Sequence, residues 1–120
     1  MPGVGAVGGG VARSGMNVLL DECVPWPMHK LLPAHVCTTA QRSGWGGIKN
    51  GDLLRLAEGK FDLFITSDQN IRYQQNLAGR SIAILELSTN KIRRIEAAAD
   101  LVRTVVANIK PGQFLHLDIP

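Results

Sequence analysis

Cysteine is scarce. Cys23 and Cys37 are the only two in the 120-residue chain, and no CxxC pair or Cys/His ligand spacing accompanies them. A disulfide framework and a structural zinc site are therefore both excluded, and the thiols read as small, reduced, buried residues of a cytoplasmic protein. His29, His35 and His116 are scattered with no ligand spacing, and sequence assigns them no function. The cationic start and unbroken apolar core of a secretory signal are also missing. With 45% apolar and 19% charged residues, the composition is that of an ordinary globular domain. It excludes extensive disorder and, over most of the length, membrane spans. Dense basic clusters are absent too. A formal charge of +3 and a pI near 9.2 are compatible with a polyanionic partner without demanding one. The glycines around Trp45 lack the GxxxxGK[ST] spacing, so the sequence does not encode a P-loop.

What is present is one domain's worth of chain with a regular grammar. Residues 1–15 are glycine-rich, carry a single charge at Arg13 and show no periodicity, so they read as a flexible tail; Met16 is a natural start, and the tail a vector remnant or over-extended start. Residues 16–120 form the single domain. Asn17-Val18-Leu19-Leu20 is an apolar run that ends abruptly in Asp21-Glu22 before Pro25 and Pro27, which predicts a buried strand and then a short helix over Trp26–Leu32. Val36–Thr39 predicts a second strand. A glycine-rich loop follows, then a helix capped by Asn50 and ended at Gly59. Phe61–Thr66 and Ser81–Leu87 predict further buried strands, with a short helix or loop over 71–77 between them. Ile92 to Ile109 recur at helical spacing behind a cap at Asn90, and Phe114–Ile119 is a last strand. Such alternation predicts a three-layer α/β/α fold with a central, mostly parallel sheet of four to five strands.

Strands of this kind deliver the residues after their C-terminal ends to a ligand crevice. Asp21 closes the first strand and Asp68 the third, so parallel neighbours would bring the two carboxylates to one edge. Carboxylates that close repel unless neutralised, which calls for Mg²⁺ or Mn²⁺. Asp52 fits either that site or the positive end of its own helix, and Glu22 either a water-mediated ligand or a solvated acid. Glu58 and Asp62 fall at the opposite end of the third strand and read as solvated. A metal held this way suits hydrolysis of a phosphodiester by activated water. Lys49 and Arg72 flank the acids and could hold phosphates, and Trp45 could stack on an unpaired base. The plain alternatives are solvated loop cations and an aromatic covering the sheet edge.

The segments Val18-Leu19-Leu20-Asp21-Glu22-Cys23, Gly44-Trp45-Gly46-Gly47-Ile48-Lys49-Asn50-Gly51-Asp52-Leu53-Leu54 and Thr66-Ser67-Asp68-Gln69-Asn70-Ile71, with Tyr73-Gln74-Gln75-Asn76-Leu77, together resemble the small bacterial PIN-like domain proteins, relatives of VapC-type toxins. The resemblance covers Met16 to the C-terminus. It implies a Mg²⁺- or Mn²⁺-dependent ribonuclease with RNA as substrate, an antitoxin protein as partner, and frequent homodimerisation. It carries catalytic and metal roles onto Asp21, Asp52 and Asp68, with Glu22 and Asn70 as further ligands. Lys49, Asn50, Trp45, Arg72 and Gln75 become the substrate-binding set. Asn70 stands where such relatives commonly place an acid, which leaves a catalytically degenerate binding or regulatory protein as an alternative. A phospho-receiver is the remaining rival, with Asp68, Ser88 or Thr89, and Lys110-Pro111 in its roles. It requires Lys110 to come off a strand end, whereas the helical spacing places it at a helix C-terminus.

Overall fold

The structure, a computed structural model, describes residues 13–71 and 79–120. Five strands, β1 (Asn17–Leu20), β2 (Val36–Thr39), β3 (Leu63–Thr66), β4 (Ala83–Leu87) and β5 (Phe114–Leu117), form one sheet in the order β2-β1-β3-β4-β5. Every pairing is parallel. The α/β fold with helices on both faces is thus as the sequence implies, and no helix among the described residues is long and apolar enough to cross a membrane.

Val18, Leu19 and Leu20 are fully buried, as are all four residues of β3. Strand alternation sorts these apolar runs onto two faces. Val18, Leu20, Leu63, Ile65, Ala83 and Leu85 face a core shared with Met28, Ile95, Val102 and Val106. Leu19, Phe64, Ile82 and Ile84 face a second core with Leu53, Leu54, Ala57 and Ile71. The first face carries a 3₁₀ helix (Trp26–Leu31), α2 (Ile92–Ala97) and α3 (Ala99–Asn108), and the second carries α1 (Asn50–Ala57). At about 1.5–3 kcal/mol for each fully buried large aliphatic or aromatic side chain, the two cores are the main favourable term in folding.

The differences from expectation are local. Pro25 and Pro27 begin the segment after β1 and Pro33 follows it, so it tightens into a 3₁₀ helix rather than an α-helix. The expected helix from Ile92 to Ile109 is two helices, broken at Ala98 (φ −102°, ψ 23°), whose N–H is shared between the carbonyls of Arg94 and Ile95. No glycine or proline announces the break. Lys91 rather than Asn90 precedes α2, with its N–H bonded to the Thr89 hydroxyl, and Lys49 rather than Asn50 caps α1. Gly112 (φ +73°) does have to be glycine: a Cβ there would lie 2.6 Å from the Arg80 carbonyl oxygen. Residues 1–12 of the expected tail lie outside the described residues. Arg13 and Gly15 donate backbone hydrogen bonds to the carbonyls of Ala107 and Ala34.

Candidate functional site at the carboxyl edge of the sheet

Reading the sheet from β2 to β5, strand order reverses between β1 and β3. In doubly wound sheets that reversal opens a crevice at the carboxyl ends of the two strands. β1 and β3 are parallel neighbours with Leu20 opposite Ile65, so the segments following them start side by side. Asp21 continues β1, its N–H bonded to the Ile65 carbonyl at 2.9 Å.

Thr66, the fully buried last residue of β3, joins the two acids. Its hydroxyl donates to Asp21 Oδ2 at 2.7 Å and accepts the Asp68 N–H at 3.0 Å. Asp21 Oδ1 accepts the Glu22 N–H, and the Cys23 thiol lies 3.3 Å from Oδ2. Asp68 Oδ1 accepts the Asn70 N–H at 2.9 Å, closing a tight turn. The Asp21 carboxylate is therefore oriented by its own loop and by the Thr66 hydroxyl, which also anchors the Asp68 backbone, while the Asp68 carboxylate is oriented by its own turn. Sequence alone gave Thr66 no role beyond ending a strand.

The other expected site residues divide. Glu22 Oε1 accepts the Gly47 N–H at 2.9 Å, so Glu22 ties the glycine loop to the site; Gly47, at φ +80°, has the freedom to aim that N–H. Asp52 is exposed in the first turn of α1 and paired with Arg55, the helix-dipole alternative in physical form. No group of three or more His, Cys, Asp or Glu among the described residues is gathered to hold a metal, so Asp52 does not close a ready-made triad with Asp21 and Asp68. Lys49 is exposed. Trp45 is half-buried and packs edge-on against Phe61, ring centroids 5.9 Å apart, with the Lys60 ammonium 5.5 Å from its own ring centre. Phe61 precedes β3, so Trp45 turns toward the amino end of the sheet and does the covering job of the plain alternative. The side chains of Asn50, Arg72 and Gln75 lie outside the described residues.

A second aromatic lies in the segment that follows β1. Trp26 stacks on His29 with centroids 4.0 Å apart and planes 16° from parallel, and the Arg42 guanidinium lies 4.4 Å from its ring centre. Both flank the carboxyl ends of β1 and β2, and sequence had assigned Trp26 only to a helix face. Cys23 is exposed rather than buried, and neither cysteine is bridged. A cleft of about 380 Å³ at the α2–α3 elbow is lined by Arg94, Glu96, Asp100, Leu101, Arg103 and Pro120, and neither Asp21 nor Asp68 lines it.

Two more residues extend the polar line. Thr66 is in register with Glu86 on β4, and Glu86 with His116 on β5. Glu86 is fully buried, and its Oε1 lies 2.5 Å from His116 Nδ1. Asp21, Thr66, Glu86 and His116 thus form one row across four strands. The receiver arrangement is not assembled: Lys110 precedes β5, which puts it at the amino edge of an all-parallel sheet, opposite Asp21 and Asp68. Comparison with protein-family models, with curated proteins and with solved structures finds no match.

Proposed function

We propose that the protein is a divalent-metal-dependent phosphodiester hydrolase acting on RNA, an endoribonuclease of PIN-like type. The observation that supports this reading is the Thr66 hydroxyl at the β1/β3 reversal, which bonds the Asp21 carboxylate and the Asp68 backbone N–H and so starts the two acid-bearing segments side by side. Their donor set, carboxylate oxygens with a side-chain carbonyl at Asn70 and a further carboxylate at Glu22, is the hard-oxygen chemistry that Mg²⁺ and Mn²⁺ take. Asp21 and Asp68 would hold the ion, which when bound supplies an activated water and screens charge at phosphorus. The chain's own contribution is orientation: Thr66 holds Asp21, the Asn70 amide holds Asp68, and Glu22 secures the loop beside them. Asp52 stays with Arg55 and serves α1. The cytoplasmic setting rests on the unbridged cysteines; the antitoxin partner and the homodimer rest on the resemblance to PIN-like proteins alone.

Cleavage of a fluorescently labelled single-stranded RNA in Mn²⁺ tests the reading. Wild-type protein cleaves it; Asp21→Asn and Asp68→Asn each lower the rate by at least about 100-fold. Asp52→Asn breaks only an exposed ion pair worth about 0.2–1 kcal/mol and leaves the rate within about fivefold. Wild-type protein that leaves RNA intact in both Mn²⁺ and Mg²⁺ overturns it.

A further inference from the structure

We propose that Arg42, seated on the indole of Trp26, anchors a backbone phosphate of the RNA strand beside the proposed cation site. The inference rests on the hydrolase reading above and adds a substrate contact to it.

Two contacts clamp the loop after β2 to the segment after β1. Glu22 Oε1 accepts the Gly47 N–H at 2.9 Å, and the Arg42 guanidinium lies 4.4 Å from the centre of the Trp26 ring. Asp21 opens that same segment, and the Val24 N–H bonds back to its carbonyl at 3.0 Å. Arg42 also follows the carboxyl end of β2 closely. Its backbone N–H bonds the Thr39 hydroxyl at 3.0 Å, and Thr39 is in register with Leu20, the residue before Asp21. Between them the Ala40 N–H reaches the Leu20 carbonyl at 3.4 Å. Both the backbone and the guanidinium of Arg42 are thus held to the segment that carries Asp21.

Most of the described arginines have polar partners. Arg55 pairs with Asp52 and Arg103 with Asp100, while Arg94 donates to the Ile119 and Pro120 carbonyls and Arg13 to the Ile109 carbonyl. Among the described residues the Arg42 guanidinium has no carboxylate or carbonyl partner and rests on the indole alone. A contact over a ring face attracts the cation without consuming its N–H groups. Trp26 is itself fixed, stacked on His29 with centroids 4.0 Å apart, and His29 Nδ1 lies 2.7 Å from the Trp26 carbonyl oxygen. An exposed guanidinium held this way fits a phosphate, which its fork of N–H groups takes through two parallel hydrogen bonds. Ordering the side chain beforehand also removes part of the entropic cost of binding. The cation site answers one phosphate; its neighbours along the strand need positive charge of their own, and Arg42 supplies it on the β2 side.

The test reads binding of a labelled single-stranded RNA by fluorescence anisotropy in Ca²⁺, over a range of salt concentrations. Arg42→Ala is expected to weaken binding about tenfold and to flatten the salt dependence by about one phosphate contact. Arg42→Lys, which keeps the charge but not the fork, is expected to weaken it about threefold with the salt slope kept. Trp26→Leu, which keeps an apolar side chain but removes the seat, is expected to weaken it about threefold as well. Arg103→Ala, which removes a likewise exposed arginine already paired with Asp100, is expected to change neither reading. In Mn²⁺ the Arg42→Ala loss is expected in KM, about tenfold, with kcat kept within about threefold. Wild-type affinity and salt slope in Arg42→Ala, or an equal loss in Arg103→Ala, overturn the proposal while leaving the hydrolase reading intact. Wild-type protein that binds RNA through Arg42 but leaves it uncleaved in Mn²⁺ and Mg²⁺ overturns the hydrolase reading alone. Wild-type protein that binds no RNA overturns both.

Discussion

The two edges of the sheet both carry acids, and they use them differently. A parallel sheet leaves unpaired N–H groups where its strands begin and unpaired carbonyls where they end. At the amino edge, acids answer that demand. Glu58 accepts the N–H groups of Ser81 and Ile82 at 2.9 and 3.3 Å and the Ser81 hydroxyl, and Asp62 accepts the Asn17 N–H at 2.8 Å. These acids are fasteners at the starts of β4 and β1, not the merely solvated residues their sequence position suggests. At the carboxyl edge the strands offer carbonyls, and the acids take their amides from loops instead: Asp21 from Glu22, Asp68 from Asn70 and Glu22 from Gly47. The Thr66 hydroxyl and the His116 imidazole from neighbouring strands complete the partners of Asp21 and Glu86. The amino-edge acids thus fasten strand starts, whereas the carboxyl-edge acids shape the loops in which the proposed cation site lies.

The sharpest way to break the comparison is to exchange the consequences. Asp21→Asn should remove at least about 100-fold of Mn²⁺-dependent cleavage while shifting the melting midpoint by only a few degrees, because the amide oxygen still accepts one of the carboxylate's hydrogen bonds and the side-chain shape is kept. Glu58→Ala should do the reverse. Losing the acceptor for two amides and a hydroxyl costs about 1–2 kcal/mol of stability in urea unfolding, with cleavage unchanged. If Glu58→Ala abolishes cleavage in a folded protein, or Asp21→Asn unfolds it, the division between edges fails.

A smaller effect sharpens it through pH. The Ser81 hydroxyl first, opposed by burial but aided by the Ser81 and Ile82 backbone amides and by Arg80, holds the Glu58 carboxyl below its ordinary value of 4.5. A depressed carboxylate pKa stabilises the folded state above the unfolded value and loses that contribution as pH falls through the folded one. Wild-type stability should therefore drop more steeply below about pH 4.5 than that of Glu58→Gln; parallel curves from acid titration of urea midpoints would contradict this. The smallest effect is chemical. Burial pushes the Cys37 thiol up to about 11, whereas Cys23 is exposed at the acid edge. Iodoacetamide at pH 8 should alkylate Cys23 well before Cys37, as read by mass spectrometry of the peptides, and equal labelling would count against the burial of β2's inner face.

The fold was largely legible because its signals are local. Buried runs such as Leu63–Thr66 stand between breakers, and the helical spacing of Ile95, Val102 and Val106 survives the break at Ala98. That break was not legible, since Glu96-Ala97-Ala98-Ala99 is uniformly helix-favouring and carries no local breaker. The position of Asp21 and Asp68 at the carboxyl edge was legible because each follows a run that must end there. The row of Thr66, Glu86 and His116 was not. Each is one polar residue within a strand, and their alignment depends on the lateral order β1-β3-β4-β5, which no local window encodes. Asp52 illustrates the converse: a helix-start acid satisfies the dipole and its own Arg55 regardless of any site nearby.

Titration calorimetry with Mn²⁺ bears most directly on the carboxyl edge as a cation site. Wild-type protein should bind the ion, the Asp21→Asn/Asp68→Asn double variant should lose that binding, and Glu58→Gln should keep it. Binding retained in the double variant, or none in the folded wild-type protein, would contradict the assignment of these two carboxylates.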